Sequence, residues 1–332
     1  MTSLADLTTL RIGGQPRTLV TATTQAELIA AVSDADREGR PITILGGGSN
    51  ILFTETFDGD VVRVATSGVD NDPTVCAGAW VTVQAGHSWD DLVATAVTSG
   101  WQGIEALAGI PGTVGATPIQ NVGAYGQQVS DTIAQVRVWD RRTAQEQTLF
   151  AADCAFGYRT SRLKVEPARF VVLAVTFQLP LGTMSAPVRY AELAAHLGID
   201  AGQRAALADV RAAVLALRTG KGMVLDPGDH DTWSAGSFFL NPVVEAPPAQ
   251  ATAWQQPDGR WKVSAAWLIE HAGFPRCFGR TARATLSTKH TLAITNRGGA
   301  SAADVLDLAE HIRTGVRARF GIDLEFEPHV AY

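Results

Sequence analysis

The sequence predicts an α+β fold. Three observations carry that expectation: β-branched and aromatic residues cluster in short runs between turn signals, two early segments open on helix-capping patterns, and one long apolar stripe of helical period lies near the C-terminus. In chain order, Thr24-x-x-Glu27 is a capping box, after which Leu28, Val32 and Ala35 share one helix face and Gly39 closes the element. The apolar run 41–45 reads as a strand, and further strands are expected at 61–64, 81–85, 136–139 and 170–179. Ser88-x-x-Asp91 caps a second helix running to Ser99, so strands outnumber helices over the first 180 residues. Leu207, Val210, Val214 and Leu217 then repeat at helical spacing in an alanine-rich segment ending at Gly220. Pro227-Gly228-Asp229 marks a break, which gives expected parts 1–180, a connecting segment 181–227, and 228–332. In the last part Val305, Leu308, Ala309, Ile312, Val316 and Phe320 form one stripe, capped by Ser301-x-x-Asp304 and stopped by Gly321.

Composition narrows the function classes. A chain of 332 residues with 46% hydrophobic and 18% charged residues is ordinary globular material, long enough for about two domains. The net charge of −6 argues against nucleic acid or an anionic membrane as partner, while leaving room for a local basic pocket. Cys76, Cys154 and Cys277 are odd in number and scattered, which fits neither a disulfide framework nor a zinc site and suits a reducing compartment. The seven histidines form no H-x-x-x-H pair, so no metal is expected. The first ten residues lack the basic and apolar regions of a signal peptide, and no apolar stretch approaches the ~18 residues of a membrane span. A cytoplasmic monomer is the expectation.

Two glycine-rich stretches are the most informative local feature. The first, Gly46-Gly47-Gly48-Ser49-Asn50, follows the apolar run 41–45. The second runs from Gly109 through Ile110, Pro111, Gly112, Thr113, Val114, Gly115 and Ala116, and continues as Gln120-Asn121-Val122-Gly123-Ala124-Tyr125-Gly126. Glycine admits positive φ and lets backbone N–H groups approach a ligand, and consecutive inward N–H groups bind anions. Two such loops point to a long ligand with a charged middle, such as a dinucleotide; tight turns are the plainer alternative. Neither loop is a P-loop, because no Lys-Ser/Thr follows the glycines, and neither has the G-x-G-x-x-G spacing.

Four further clusters combine reactive side chains with turn signals. Arg159, within Phe156–Lys164, offers a fork of donors for a carboxylate or phosphate, or a surface ion pair. Ser237 lies in Gly236-Ser237-Phe238-Phe239-Leu240-Asn241-Pro242, which is not a nucleophile elbow; its hydroxyl either faces a dry pocket or caps a turn. Lys289-His290 sits before the apolar 292–294, where a solvated strand edge is the competing reading, and Glu325 and Glu327 follow the last helix, where carboxylates are usually surface residues. On these grounds alone the chain is a ligand-binding α+β protein.

Taken together and in this order, the clusters resemble the UDP-N-acetylenolpyruvoylglucosamine reductases over nearly the whole chain. The matching runs start at Leu10-Arg11-Ile12-Gly13-Gly14 and take in both glycine stretches, Gly157-Tyr158-Arg159, Ala235 to Pro242, Ala266-Trp267-Leu268-Ile269-Glu270, Lys289-His290 and Glu327-Pro328. The resemblance implies an FAD-binding domain of the vanillyl-alcohol-oxidase type, built from two α+β subdomains, followed by an α+β substrate-binding domain. It implies non-covalent FAD, with the pyrophosphate at Gly46, Gly47, Gly48, Ser49 and Asn50. Ile110, Pro111, Gly112, Thr113, Gly115, Asn121, Gly123, Ala124 and Tyr125 would complete the cofactor contacts.

It also implies NADPH as hydride donor and an enolpyruvyl ether of UDP-N-acetylglucosamine as substrate. Arg159 and Glu327 match the family's pair at the substrate carboxylate, and Ser237 matches its general acid toward C2. Tyr190 matches the tyrosine of a loop that closes on substrate in the larger, type I members, Lys221 a basic residue for substrate phosphate, and Asn241, Lys289 and His290 further substrate contacts. Ala116-Thr117 stands where many members have Gly-Ala, Leu240 fills a position that is lysine in some, and the residue before Glu327 is not the usual proline, which leaves Glu325 as a rival. An FAD oxidase of the same superfold is disfavoured because neither glycine stretch carries a histidine or cysteine to tether the flavin. A flavin-binding module without activity is disfavoured by the retention of Arg159, Ser237 and a C-terminal glutamate.

Overall fold

The computed structural model describes residues 2–72 and 78–332, so Cys76 lies outside the described residues. By contacts the chain forms two compact units, one of Arg17–Gly47 and Gly59–Thr219, the other of Met1–Pro16, Gly48–Asp58 and Gly220–Tyr332.

The larger unit is built on a five-stranded antiparallel sheet, ordered Gln145–Phe150, Ile133–Asp140, Phe170–Leu179, Ala79–Gln84, Val69–Asp72. Its central strand, Phe170–Leu179, is buried along almost its whole length, which is why it reads as one continuous apolar run. Ala79–Gln84 alternates buried and half-buried residues, as a strand with one fully covered face does. A second, parallel sheet orders Thr18–Ala22, Asp60–Val64 and Ile42–Leu45. The helix Gln25–Arg37 is capped by Thr24 with Glu27 returning the bond, and buries Leu28, Val32 and Ala35, as the spacing predicts. Helix Trp89–Thr98 starts at Ser88, and Leu207–Gly220 lays Leu207, Val210, Ala213 and Val214 inward. Val210 and Val214 thus join the core made by the five-stranded sheet.

The smaller unit has its own core of Leu10, Leu52, Phe238, Phe239, Leu268 and Ile312 among others. Its long helix, Ala302–Phe320, carries the full capping box at Ser301 and ends on Gly321 at φ 68°, where a left-handed residue is needed. Burying each of its large apolar residues stabilises the unit by about 1.5–3 kcal/mol. Parallel pairing of Ile51–Phe53 with His329–Ala331 explains why an early segment folds with the C-terminal part. This grouping differs from the chain-order divisions at 180 and 227: residues 1–16 and 48–58 belong with 220–332, and the segment 181–219 folds onto the larger sheet.

Candidate active site

In the larger unit the two glycine stretches meet. A Cβ on Gly47 would lie 2.6 Å from the Cα of Gly112, and one on Gly46 2.6 Å from Thr113 Oγ1. Only glycine at 47 permits that backbone approach. Among the described residues the N–H groups of Gly46, Gly47 and Gly112 donate to no acceptor of the chain. Unused backbone donors gathered on two touching loops are what a pyrophosphate-bearing dinucleotide requires, so the cradle fits FAD. Thr113 bridges to Ser88, and Ile110 packs on the core. The Gly109 N–H donates to Asp90 Oδ1 at 2.7 Å, while Asp90 Oδ2 takes Arg211 at 2.8 Å. Gly115 serves packing: its Cβ would meet Ala85 Cβ at 2.5 Å.

The continuation of the second stretch forms a seat for Arg159. Gly123 pairs with Gln128 and Ala124 with Gln127. The Arg159 guanidinium donates to the Gly123 carbonyl at 2.8 Å and to the Asn121 carbonyl at 3.5 Å. Asn121, Tyr125 and Arg159 all hold left-handed backbones, with φ of 46°, 50° and 52°. Such conformations in residues with a Cβ persist only where surrounding bonds enforce them, and they concentrate at functional sites. Tyr125 meets Tyr190 edge-on, ring centroids 5.2 Å apart at 79°. Burial pushes the Tyr125 phenol up to about 12 and raises Tyr190 as well, so both hydroxyls stay protonated donors at neutral pH. Buried Glu105 binds the Gln127 amide at 2.8 Å and the Ala186 N–H at 3.3 Å, which ties the glycine stretch to the segment leading to Tyr190.

In the smaller unit, Gly48 has φ 64° and leaves no room for a Cβ against the Leu7 carbonyl. The following Asn50 donates from Nδ2 to the Glu327 carbonyl at 3.3 Å. Ser237 lies between Gly236 and the buried Phe238, half-buried itself. Its hydroxyl makes no hydrogen bond among the described residues, so it is not the turn cap of the plainer reading. Phe239 bridges Phe326, the Glu327 N–H donates to the Phe238 carbonyl at 3.0 Å, and the Leu240 N–H to the Glu325 carbonyl at 2.9 Å. The segment bearing Ser237 therefore pairs with the one bearing the two glutamates, of which Glu327 is half-buried and Glu325 exposed.

Other expected contacts carry structural bonds. Asn241 Oδ1 accepts the Ala265 N–H at 2.8 Å. Lys289 pairs with Asp229 at 2.5 Å, and that bond raises the lysine and lowers the aspartate from their usual values. Lys289 and His290 sit in the loop between strands Ala284–Leu286 and Ile294–Asn296, not on a strand edge. Lys221 is half-buried just past the helix ending at Gly220.

Residues 226–331 match the C-terminal domain of UDP-N-acetylenolpyruvoylglucosamine reductase, and residues 16–147 match an FAD binding domain. A UDP-N-acetylenolpyruvoylglucosamine reductase of Cutibacterium acnes is 57% identical over 98% of this chain and 88% of its own. The chain belongs to the UDP-N-acetylenolpyruvoylglucosamine reductase family. A relative of the same name from Streptomyces avermitilis is 51% identical over 98% of this chain and 92% of its own. Among solved structures, the family's enzyme from Thermus caldophilus aligns with a TM-score of 0.67 at 26% identity, covering 100% of this chain and 98% of that one. The fold is thus α+β with an FAD-binding domain.

Sequence reasoning missed several supports of this site: Asp90 and Arg211 under Gly109, Glu105, and Lys164, whose ammonium donates to the Arg159 carbonyl at 2.9 Å. Lys164 lies in the cluster singled out with Arg159, though its bond back to that residue has no sequence signature, and Arg211 lies on the helix of Val210 and Val214. Asp90 and Glu105 depend on partners in other segments, 19 and 22 residues away.

Proposed function

We propose that this chain reduces the enolpyruvyl ether of UDP-N-acetylglucosamine to UDP-N-acetylmuramate, consuming NADPH and one proton, in the supply of peptidoglycan precursor. Family membership supports the reaction class. The observation that carries the reading to this chain's residues is the pairing of the Ser237 segment with the Glu327 segment, with a Ser237 hydroxyl on it that makes no hydrogen bond among the described residues. Bound FAD would supply the hydride chemistry that links NADPH to C3 of the enolpyruvyl group.

Arg159 takes the substrate carboxylate by charge-assisted hydrogen bonds and stabilises the negative charge that spreads onto it from C2. Ser237 gives the proton of its Oγ to C2 and regains one from solvent, which is the proton consumed in each turnover. An alcohol is a weak acid, but a carbanion-like enolate is a base strong enough to take that proton. Glu327, half-buried, shares the carboxylate with Arg159, as a protonated donor or by orienting one. Gly46, Gly47 and Gly112 N–H groups, with Gly48, Ser49 and Asn50, hold the pyrophosphate of FAD; Ile110, Pro111, Thr113, Gly115, Gly123, Ala124 and Tyr125 shape the rest of its seat. Tyr190 closes on the substrate, Lys221 meets its phosphate, and Asn241, Lys289 and His290 line the nucleotide-sugar site.

FAD binding is assigned to residues 1–180, which also carry Arg159, and substrate binding chiefly to 228–332, with 181–227 supplying Tyr190 and Lys221. We place the enzyme in the cytoplasm as a monomer. No helix among the described residues is long and apolar enough to cross a membrane, and sedimentation equilibrium tests the monomer. Acid precipitation of the yellow protein should release FAD, and NADPH should be consumed only with the enolpyruvyl ether, whose product gains two hydrogens by mass. A colourless chain that FAD cannot reconstitute, or a product of unchanged mass, would remove the reading.

A further inference from the structure

We propose that Asn121 and Lys164 are positioning residues that hold Arg159 in its working conformation. The inference rests on the assignment of Arg159 to the substrate carboxylate. Arg159 occupies a left-handed backbone (φ 52°) that a residue with a Cβ adopts reluctantly. It lies in a tight turn whose ends, Gly157 and Thr160, exchange backbone hydrogen bonds of 3.0 and 3.4 Å. Two side chains from outside the turn grip it. Lys164 Nζ donates to the Arg159 carbonyl at 2.9 Å, and Asn121 Nδ2 donates to the Gly157 carbonyl at 3.1 Å.

Both N–H donors of the Asn121 amide are committed to the protein. Its Nδ2 also donates to Gln128 Oε1 at 3.3 Å, its Oδ1 accepts the Ser130 N–H at 3.1 Å, and the residue is 2% exposed. Its side chain therefore belongs to the frame of the turn and not to the cofactor contacts. The backbone of the same residue accepts from the Arg159 guanidinium, so Asn121 fixes the turn at one end and the functional head at the other.

Lys164 is itself held rigidly. It stands on the short helix Arg162–Val165, whose cap Ser161 donates to the Ile119 carbonyl at 2.6 Å. Glu166 at the helix end pairs with Arg162 and Arg169, both at 2.9 Å, and Arg169 with fully buried Asp140 at 2.8 Å. A fork that must meet a carboxylate in both distance and plane tolerates little rotation, and an ångström of misplacement costs about 10²-fold in rate.

The test uses the FAD-loaded enzyme and separates its half-reactions. Lys164→Met removes the donor and keeps the stem. Asn121→Asp keeps the acceptor for Ser130 and a tolerance for left-handed backbone, but sets an oxygen against the Gly157 carbonyl. Both should slow flavin reoxidation by substrate about 10–100-fold. Flavin content and the rate of reduction by NADPH should stay at wild-type values in both; the melting temperature should hold in Lys164→Met and fall in Asn121→Asp, whose buried carboxylate faces the Gly157 carbonyl and Gln128 Oε1, and Lys164→Arg should recover most of the loss. Neither change should add to Arg159→Lys in the double variant, because all act through one group. Full additivity, unchanged reoxidation in Lys164→Met, or loss of flavin from Asn121→Asp with a silent Lys164→Met would overturn the proposal. If Arg159→Lys alone leaves reoxidation untouched, the assignment of Arg159 is what has failed, and the proposal falls with it.

Discussion

Gly46 and Gly47 are adjacent in the chain, neither has a positive φ, and both are lost to alanine by the same single methyl. Their expected costs nevertheless differ, because the new Cβ meets different atoms. At Gly47 it would sit 2.6 Å from the Cα and 3.1 Å from the carbonyl carbon of Gly112, backbone that cannot rotate away. At Gly46 the only close atom is Thr113 Oγ1 at 2.6 Å, the end of a side chain that a rotamer change can move. Overpacking a rigid contact costs about 1–3 kcal/mol, and Gly47→Ala belongs at the upper end of that range, whereas Gly46→Ala should stay near 1 kcal/mol. For a unit of this size each kcal/mol lowers the melting temperature by about 2–4 °C. Separating the loops also displaces the unused N–H groups of Gly47 and Gly112, so Gly47→Ala should lose bound FAD disproportionately. Thermal unfolding and the flavin-to-protein absorbance ratio of both variants measure this. Full flavin occupancy and an unchanged melting temperature in Gly47→Ala would refute the reasoning, as would a larger loss in Gly46→Ala.

Ser237→Ala should accept electrons from NADPH at the normal rate but lose about 10²–10⁴-fold in the step that consumes substrate, with no change in melting temperature, because its hydroxyl has no bond to lose. Equal slowing of both half-reactions would mean a binding role. Glu327→Gln should lower kcat more than it raises KM for the enolpyruvyl ether, while Glu325→Gln, at an exposed position, should be silent; the reverse pattern would move the site to Glu325. Asp140 is held below its usual 3.8 first by its hydrogen bonds to Arg169, against the upward push of burial. A depressed carboxylate stabilises the fold above the unfolded value and loses that contribution as pH falls through the folded one. Asp140→Asn should therefore be less stable than wild type at pH 7, yet its urea midpoint should fall less between pH 5 and pH 3. Parallel declines would show that the pair contributes nothing to acid sensitivity.

The elements that were legible in the sequence are those whose signal is local. Thr24 with Glu27, Ser88 and Ser301 with Asp304 mark three helix starts, because a cap is written in four residues. Phe170–Leu179 was legible because a strand buried on both faces is apolar throughout. The short strands of the smaller unit, such as Val243–Val244 and Trp261–Val263, were not, since two or three residues carry no period. The same division holds at the site. Glycine loops announce themselves by composition, but the competition between Glu325 and Glu327 turns on which of two like residues is covered, and the side-chain bonds of Asn121 are not written in its motif. What its amide does is decided by Gly157, thirty-six residues away.

In the proposed reaction electrons pass from NADPH through FAD to the enolpyruvyl ether. Anaerobic mixing with one equivalent of NADPH, followed by one equivalent of the UDP-N-acetylglucosamine enolpyruvyl ether, tests it in a single cuvette. Flavin absorbance should bleach on the first addition and return in full on the second, with UDP-N-acetylmuramate formed in equal amount. Bleached flavin that the ether leaves reduced, and that only oxygen reoxidises, would contradict it.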